Sequence, residues 1–456
     1  MTPALLRHRL QRQGIATPVA HSVAATVRHL AAMQAQDYAA SLFAIGLRTA
    51  GATLATVEAA ITRGEIVRTW PMRGTLHWLA REDVRWMVAL LAPRVQAANT
   101  ARIARDHGLD ETTLARCRRA IEAALSHGRP VMRGDLYAAL DAIGVDSGGQ
   151  RGLQVLGWMA HEGLICQGPR QGRQPTFVWL DAWIPATDAL SREEALHRLA
   201  LRYLQGHAPA SAADLAWWSG LTQKDAKRAL ESALSSLLRE THEGDVLWHA
   251  SALPAARAAR SIHLLPAFDE YLIGYRDRSP VVADEQLRRV IGINGLVNPT
   301  VIVDGRVVGT WKRDADARGY VRIAPFRPLA EKERLGIGKA AARLARFLGA
   351  PAPVASCTAP LGNPAFAACG AAGYRRRSCH CDISMRRRIS ATTLALGVAL
   401  TLPAHADEGM WMPSQLPQLA KPLREAGFKG APQALADVTA APLSAVVRAG
   451  GGTGAF

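Results

Sequence analysis

Two glutamines stand one residue apart in the segment Met33-Gln34-Ala35-Gln36-Asp37. A glutamine side chain does not titrate, so Gln34 and Gln36 cannot form a general acid and base pair. Their neutral amide oxygens can still hold a water molecule and stabilise developing positive charge by position and dipole. The alternative is structural, because polar side chains often cap free backbone groups at helix ends. Both interpretations depend on the backbone that carries the pair.

The backbone conformation at the pair decides whether the two side chains can act together. Val23, Val27 and Leu30 have helical spacing and predict a helix that runs up to the pair. On a continuous α-helix, residues i and i+2 lie about 200° apart and could not share a cavity. A functional pair therefore requires extended or turning backbone at the helix end. Asp37 could act as a base if it turned inward, but we expect it to cap the following segment.

The charge of the chain points to an anionic partner. Its formal net charge is +17 at pH 7, which indicates nucleic acid first and a membrane surface second. Most basic residues are arginines, and the first lysine is Lys224. Arginine forks suit phosphate contacts, although a codon bias toward arginine explains the preference equally well. Without a lysine in the first 223 residues, a Schiff-base lyase mechanism centred there is not expected.

Cysteine usage and the N-terminal segment indicate a reducing compartment. The six cysteines lack a disulfide-like pattern, and Cys379-His380-Cys381 lacks the paired spacing of a zinc site. We therefore expect no metal and no other cofactor. The first residues are basic and amphipathic without a secretory apolar core, which predicts a cytoplasmic body.

Two groups of predicted helices each lead into a predicted hairpin, and a third group of helices is completed by the short segment Asp245-Val246-Leu247-Trp248. The first hairpin turns near Pro71 and Gly74, and the second has its tip within residues 168–175. The third group begins at Ser191, which forms a capping-box pattern with Glu194. Helices followed by a basic hairpin are typical of a winged helix. The sequence thus predicts a mainly α fold with β wings, of the α+β class, with winged helices at residues 1–110, 111–185 and 186–262.

Residues 263–350 change to strand patterns. Asp304-Gly305 between apolar runs is a strong signal for a two-residue hairpin turn. A closing helix is predicted over residues 331–348. We expect a small β-barrel or curved sheet here, followed by a linker over residues 351–384.

Residues 385–456 have a different character from the body. Three arginines, an apolar run from Ala391 to Leu402 and Ala404-His405-Ala406 form a signal-peptide pattern at residues 385–406. The apolar run is too short to span a membrane, which takes about 20 residues. Residues 407–456 resemble the mature N-terminus of S46-family dipeptidyl peptidases and stop before any catalytic machinery. We interpret this tail as the truncated start of a peptidase joined in frame to the body, either by a real fusion or by an assembly or annotation error, and we assign it no part in catalysis.

The body resembles the AlkZ-type winged-helix DNA glycosylases over about residues 1–350. The likeness rests on short segments of the sequence: Gln34-Ala35-Gln36, Arg73-Gly74-Thr75-Leu76-His77, residues 265–271, Arg276-Asp277-Arg278, Asp304-Gly305 and Gly309-Thr310-Trp311. The resemblance implies three tandem winged helices and a C-terminal β-barrel around a DNA channel. It also implies that Gln34 and Gln36 are the catalytic pair.

The function implied by this resemblance is excision of N-alkylated purines from double-stranded DNA, including unhooking of interstrand crosslinks. A purine alkylated at N7 or N3 already carries positive charge, so its base leaves without a proton. Two neutral glutamines then suffice to place water and stabilise the oxocarbenium-like transition state. The alternative functions are a winged-helix transcriptional regulator and a non-catalytic DNA binder.

Basic side chains on the predicted hairpins are the candidates for DNA contact. We expect the protein to bind DNA as a monomer and not to associate with membranes. The candidates are Arg68, Arg73, His77, Arg170, Arg173 and Arg313. For His77 the alternative is a position in the core of the hairpin.

Overall fold

The computed structural model describes residues 3–242, 244–250, 261–292, 295–313 and 321–350, and the backbone of residues 355–357. All of these lie in one compact unit, Met1–Cys369. The signal-like segment, the peptidase-like stub, nearly all of the expected linker and Cys379-His380-Cys381 fall outside the described residues.

The described residues form fifteen α-helices, two short 3-10 helices and thirteen strands. The helices are α1 Pro3–Arg12, α2 Val23–His29, α3 Tyr38–Arg48, α4 Leu54–Thr62, α5 Val84–His107, α6 Glu111–Leu125, α7 Arg133–Ala142, α8 Arg151–His161, α9 Leu180–Trp183, α10 Arg192–His207, α11 Ala212–Ser219, α12 Gln223–Ser232, α13 Glu270–Ile273, α14 Asp284–Val290 and α15 Glu331–Leu348, and the 3-10 helices are Arg81–Asp83 and Leu234–Ser236. The strands are β1 Ala32–Gln34, β2 Ile66–Met72, β3 Thr75–Ala80, β4 Val131–Met132, β5 Ile165–Gln171, β6 Gln174–Trp179, β7 Leu238–His242, β8 Asp245–His249, β9 Ile262–Leu265, β10 Thr300–Val303, β11 Arg306–Arg313, β12 Val321–Pro325 and β13 Ala355–Cys357.

The two expected hairpins are present as β2–β3 and β5–β6, and the third group of helices also leads into a hairpin, β7–β8. Helices precede each of them, in the order that the winged-helix prediction requires. The first two hairpins belong to one six-stranded sheet with the order β1-β3-β2-β5-β6-β4, whereas β7 and β8 pair with each other alone among the described strands. The two hairpins meet where Arg68 of β2 pairs with Gln167 of β5. The number and boundaries of the winged-helix domains remain predictions.

Local sequence signals explain several element boundaries. Helix α10 begins with the expected capping box, in which the Ser191 hydroxyl accepts the N–H of Glu194 and the Glu194 carboxylate accepts the N–H of Ser191. Asp304 and Gly305 form the expected two-residue turn between β10 and β11, with φ values of 51° and 87°. Gly305 is required there for a second reason, because a Cβ on it would lie 2.6 Å from Cβ of Leu6.

The C-terminal sheet has the order β13-β12-β11-β10-β9, and α15 packs beside β9. Its pairs are antiparallel except for the parallel pair of β12 with β13. A barrel closes only when the two edge strands pair with each other. In the part of the chain that the structure describes, β9 and β13 stay at opposite edges. The sheet is therefore open, and of the two expected forms, a small β-barrel or a curved sheet, the barrel is not observed.

The apolar core has two parts. One joins α2 and α3 to the helices before the second hairpin and to the C-terminal sheet. The other lies between the first hairpin, the long helix α5 and helices α10 to α12. Within the described ranges, no helix is long and apolar enough to cross a membrane. The same ranges hold no cluster of His, Cys, Asp or Glu suited to a metal ion.

A buried ion pair joins α3 to the segment before α13. The guanidinium of Arg48 donates to both carboxylate oxygens of Asp269, at 2.9 and 2.7 Å, and both side chains are fully buried. Arg48 also donates to Oε1 of Gln13 at 3.1 Å. Removing one partner would leave the other charge buried without compensation.

We therefore expect Arg48→Met to lower the free energy of unfolding by about 3–5 kcal/mol. The measurement is urea unfolding followed by tryptophan fluorescence. The matched control is Arg63→Met, because Arg63 pairs with Glu65 at 2.7 Å on the surface and such exposed pairs contribute little to stability. Equal losses in the two variants would contradict a special role for the buried pair.

Candidate active site

Gln34 lies at the end of a short edge strand, and Gln36 follows in a bend before α3, so neither glutamine is on a helix. Helix α2 ends at His29, and Gln34 is the last residue of β1, opposite His77 of β3. This corrects the expectation that the helix runs into the pair, and it supplies the extended backbone that a functional pair requires. Side chains two residues apart on extended backbone point to the same side. Gln34 is half-buried and Gln36 is exposed, so solvent reaches the pair.

Three backbone groups of the motif are fixed from different directions. The N–H of Gln34 donates to Oε1 of Glu270 at 2.7 Å. The N–H of Ala35 donates to the carbonyl of Leu76 at 2.7 Å. The carbonyl of Ala35 accepts two bonds from the guanidinium of Arg68, one of them at 3.1 Å from Nε. The motif is thus held rigidly, although it sits at the edge of a sheet.

The two carboxamides are oriented by the first hairpin. Oε1 of Gln34 accepts from Arg73 at 3.2 Å, and Oε1 of Gln36 accepts from the N–H of Leu76 at 3.2 Å. Each oxygen keeps a second lone pair, and each amide nitrogen keeps donors that no contact within the described chain uses. The pair can therefore hold a polar ligand such as water without any change of charge.

Arg73 is held in place by a neutral histidine. Arg73 occupies the left-handed turn of the first hairpin with φ 56°, and the same nitrogen that contacts Gln34 lies 3.2 Å from Nε2 of His77. Nδ1 of His77 faces the carbonyl of Thr75 at 2.9 Å, so the proton is on Nδ1 and Nε2 accepts from Arg73. Burial, reinforced by the charge of Arg73, lowers the pKa of His77 to about 3. The site therefore carries no histidine charge near neutral pH.

Glu270 belongs to the site, and no role was assigned to it from sequence. Its side chain is 1% exposed, and besides Gln34 it accepts from Nε1 of Trp218 at 3.0 Å. Its Oε2 lies 3.4 Å from Nε2 of His207. Burial alone would raise the pKa of Glu270, but the hydrogen bond and charge of His207, with His77 and the Gln34 N–H, hold it below its ordinary value. The available signal was an acidic pair, Asp269-Glu270, within an apolar stretch.

Two candidate DNA contacts lie in the interior. Arg68 is 5% exposed and is occupied by Ala35 and by Oε1 of Gln167, the latter at 2.8 Å. His77 has no exposed surface. The expectation of a surface position is therefore corrected for Arg68, and His77 takes the core position that was its alternative, because the polar atoms of both residues satisfy buried partners. Arg68 supports the motif backbone, and His77 supports Arg73.

The other candidates are closer to solvent. Arg73 and Arg170 are half-buried, and Arg173 and Arg313 are exposed. The guanidinium of Arg170 stacks 3.5 Å above the ring of Tyr38 and so brings the second hairpin over the residues that follow the motif.

Asp37 caps the helix after the motif, as expected. Its Oδ1 accepts the N–H of Ala40 at 3.0 Å, and its backbone is extended. This geometry directs the carboxylate to the first turn of α3 and confirms the capping interpretation.

Comparison with known proteins places this chain among the DNA glycosylases. The chain belongs to the DNA glycosylase AlkZ-like family, whose sequence profile matches residues 27–347. Residues 406–456 match the Peptidase S46 family, in agreement with the resemblance of the tail.

A relative and a solved structure cover most of the chain. An interstrand DNA cross-link repair glycosylase from Streptomyces sahachiroi is 28% identical over 360 residues, which make up 75% of this chain and 95% of that protein. The solved structure of Streptomyces sahachiroi DNA glycosylase AlkZ superposes with a TM-score of 0.67 at 24% identity and covers 78% of this chain and 99% of its own. At that identity the structural likeness establishes the fold.

The lowered pKa of His77 predicts an acid-sensitive fold. Between about pH 6.5 and the folded-state value, the unfolded chain binds a proton that the folded chain does not, so stability falls as pH falls. One such histidine changes the free energy of unfolding by up to about 1.4 kcal/mol per pH unit. His161 and His263, which are half-buried and whose pKa values are lowered by burial to about 4, add to the slope.

We expect His77→Gln to flatten this slope between about pH 6 and 5 by roughly 1 kcal/mol per unit. The glutamine oxygen can accept from Arg73 in place of Nε2 but does not titrate. Urea unfolding at each pH measures the slope, with His127→Gln on the exposed surface as the control. An unchanged slope in His77→Gln would show that His77 is not the acid-sensitive group.

Proposed function

We propose that this protein is a monofunctional DNA glycosylase that hydrolyses the N-glycosidic bond of cationic purines alkylated at N7 or N3, in base excision repair. The observation that carries the proposal is the extended, rigidly held Gln34-Ala35-Gln36 segment, with both carboxamides oriented by the first hairpin. The name of the Streptomyces sahachiroi relative motivates a second substrate class, interstrand crosslinks.

The chemistry follows from the absence of charge on the pair. Glycoside hydrolysis ordinarily uses one carboxylic acid to protonate the leaving group and one carboxylate to activate water. A cationic purine leaves without protonation, so the acid is unnecessary. In the proposed mechanism the free lone pairs of Gln34 and Gln36 hold water at the far face of the sugar. The same amide dipoles stabilise the oxocarbenium-like transition state.

The proposed reaction ends at an abasic site. A lyase step would need an amine that forms a Schiff base with the sugar. The first 223 residues contain no lysine, and the side chains that hydrogen-bond to the motif are the guanidinium groups of Arg68 and Arg73 and the carboxylate of Glu270. We therefore propose hydrolysis without strand cleavage.

The proposed partner is double-stranded DNA bound by a monomer. Arg73, Arg170, Arg173 and Arg313 are the proposed phosphate contacts, because guanidinium groups bind phosphate oxygens bidentately. Arg170 is of special interest, since its stacking on Tyr38 places a cation beside the motif.

We expect wild-type protein to produce abasic sites in DNA that contains 7-methylguanine, detected as strand breaks after alkali. Gln34→Ala and Gln36→Ala should each slow the single-turnover rate by about 10²-fold or more, the usual effect of losing one group that stabilises transition-state charge. Gln223→Ala, on the exposed start of α12, is the control and should keep the wild-type rate.

The outcomes separate the alternatives. Absence of breaks with wild-type protein would favour a DNA-binding regulator or a non-catalytic binder. Full activity in both glutamine variants would leave the proposed glycosylase activity in place and reject the catalytic role of Gln34 and Gln36.

A second expectation concerns the leaving group. Uracil is neutral in DNA and leaves poorly unless its departure is assisted, and a general acid contributes about 10²–10⁴-fold to rate. We expect the rate on uracil-containing DNA to be lower than that on 7-methylguanine by at least about 10²-fold. Comparable rates on the two substrates would contradict a site built from neutral amides.

A further inference from the structure

Glu270 and His207 form a buried pair that holds one proton between them. Nδ1 of His207 faces the carbonyl of Tyr203 at 3.1 Å, so Nδ1 is a donor. Nε2 of His207 faces Oε2 of Glu270 at 3.4 Å. A lone pair facing a carboxylate would be repulsive, so a proton lies on one of these two atoms. The pair is therefore a single donor–acceptor unit and not two independent charges.

Aromatic rings surround this unit and fix its geometry. The ring of Tyr203 stacks on His207 with centroids 4.6 Å apart, and the rings of Trp218 and Tyr275 lie at 5.4 and 6.0 Å. The side chains of His207 and Glu270 are 0% and 1% exposed. Since the third group of helices supplies His207 and Trp218, this group determines where the Glu270 carboxylate can be.

Oε1 of Glu270, the carboxylate oxygen that does not face His207, contacts strand β1, which carries Gln34. β1 is an edge strand of the six-stranded sheet. The N–H of Ala35 points toward β3, whereas the N–H of Gln34 points away from the sheet and meets Oε1 of Glu270. The carboxylate thus takes the place of a neighbouring strand at one peptide group. A bond to an ionised acceptor is about twice as strong as one between neutral groups.

We propose that Glu270, held by His207 and Trp218, is a positioning residue that fixes Gln34 through its backbone N–H. The inference rests on the proposed function, because it assigns the precision of the Gln34 carboxamide to a residue that does not touch DNA. A buried carboxylate is costly, and a neutral acceptor would satisfy one N–H group. A requirement of catalysis explains why the carboxylate lies at the Gln34 peptide group, whereas a purely structural requirement does not.

A pair of variants of similar size isolates the bond. Glu270→Gln keeps an oxygen for the Gln34 N–H and an amide donor toward His207 but loses the bond from Trp218, whereas Glu270→Leu removes the acceptor of the Gln34 N–H as well. We expect Glu270→Leu to slow single-turnover release of 7-methylguanine by about 10–100-fold, since small misplacements of reacting groups cost up to about 10²-fold. Glu270→Gln should recover most of that loss. The dissociation constant for undamaged duplex DNA should stay within about threefold in both variants, because the contacts with phosphate are unchanged.

A second measurement does not depend on activity. Amide hydrogen exchange of the full chain should speed up in the peptide that contains Gln34 in Glu270→Leu and stay near wild type in Glu270→Gln. The matched control is Glu333→Leu, which removes another buried glutamate, one that pairs with Arg327 and caps α15. That control should lose stability but keep the wild-type rate and exchange at Gln34.

The results separate this inference from the proposed function. Inactive wild-type protein would overturn both. Active wild-type protein with an unimpaired Glu270→Leu, or with equal losses in the leucine and glutamine variants, would overturn the positioning role and leave the glycosylase. If Glu270→Leu does not fold, Trp218→Phe decides, because it removes one bond to Oε2. It should raise exchange at Gln34 and slow release, and no change in either would reject the inference.

Discussion

Two adjacent carboxylates in the interior, Asp269 and Glu270, require partners that only distant parts of the chain can supply. The Asp269 carboxylate accepts hydrogen bonds from both terminal nitrogens of the Arg48 guanidinium in α3. The Glu270 carboxylate accepts hydrogen bonds from Nε1 of Trp218 and from the Gln34 N–H, and it lies beside Nε2 of His207. An unpaired charge at either position would cost several kcal/mol. The first helices, the third group of helices and the start of α13 must therefore meet at this point, and the glutamine motif lies against it.

This constraint explains how an edge strand can carry a rigid site. Edge strands ordinarily leave one row of backbone groups unpaired. Here the outward N–H of Gln34 has a buried carboxylate, and the Ala35 carbonyl has the guanidinium of Arg68. The side chains remain accessible because the partners bind the backbone. A neutral His77 and the cation of Arg73 complete the surroundings. Such a site suits a reaction that needs placement of water and no proton transfer to the leaving group.

Because the first and second hairpins share one six-stranded sheet, the second hairpin is directly connected to the glutamine motif. Arg68 of β2 pairs with Gln167 of β5 and binds Ala35 at the same time. On the same side, Arg170 stacks on Tyr38, which begins α3 immediately after Asp37. Movement of the second hairpin would therefore displace the contacts of Ala35 and Tyr38, which lie before and after Gln36 in the chain. Two hairpins that look like independent wings in the sequence act as one continuous support.

The sequence by itself determined the features that depend on neighbours a few residues away. The capping box at Ser191, the Asp304-Gly305 turn, the helix cap at Asp37 and the need for extended backbone at Gln34 follow from local sterics and short-range hydrogen bonds. The tertiary structure alone decided which charges face the interior. Arg68 and His77 belong to a hairpin that reads as a basic surface wing, yet both are buried. Glu270 lies 236 residues from Gln34 in the sequence, and no local sequence feature indicates that the two residues are in contact. Burial and pairing of such groups depend on the surfaces that pack against them, and the openness of the C-terminal sheet depends on the path of its edge strands. No short stretch of sequence contains that information.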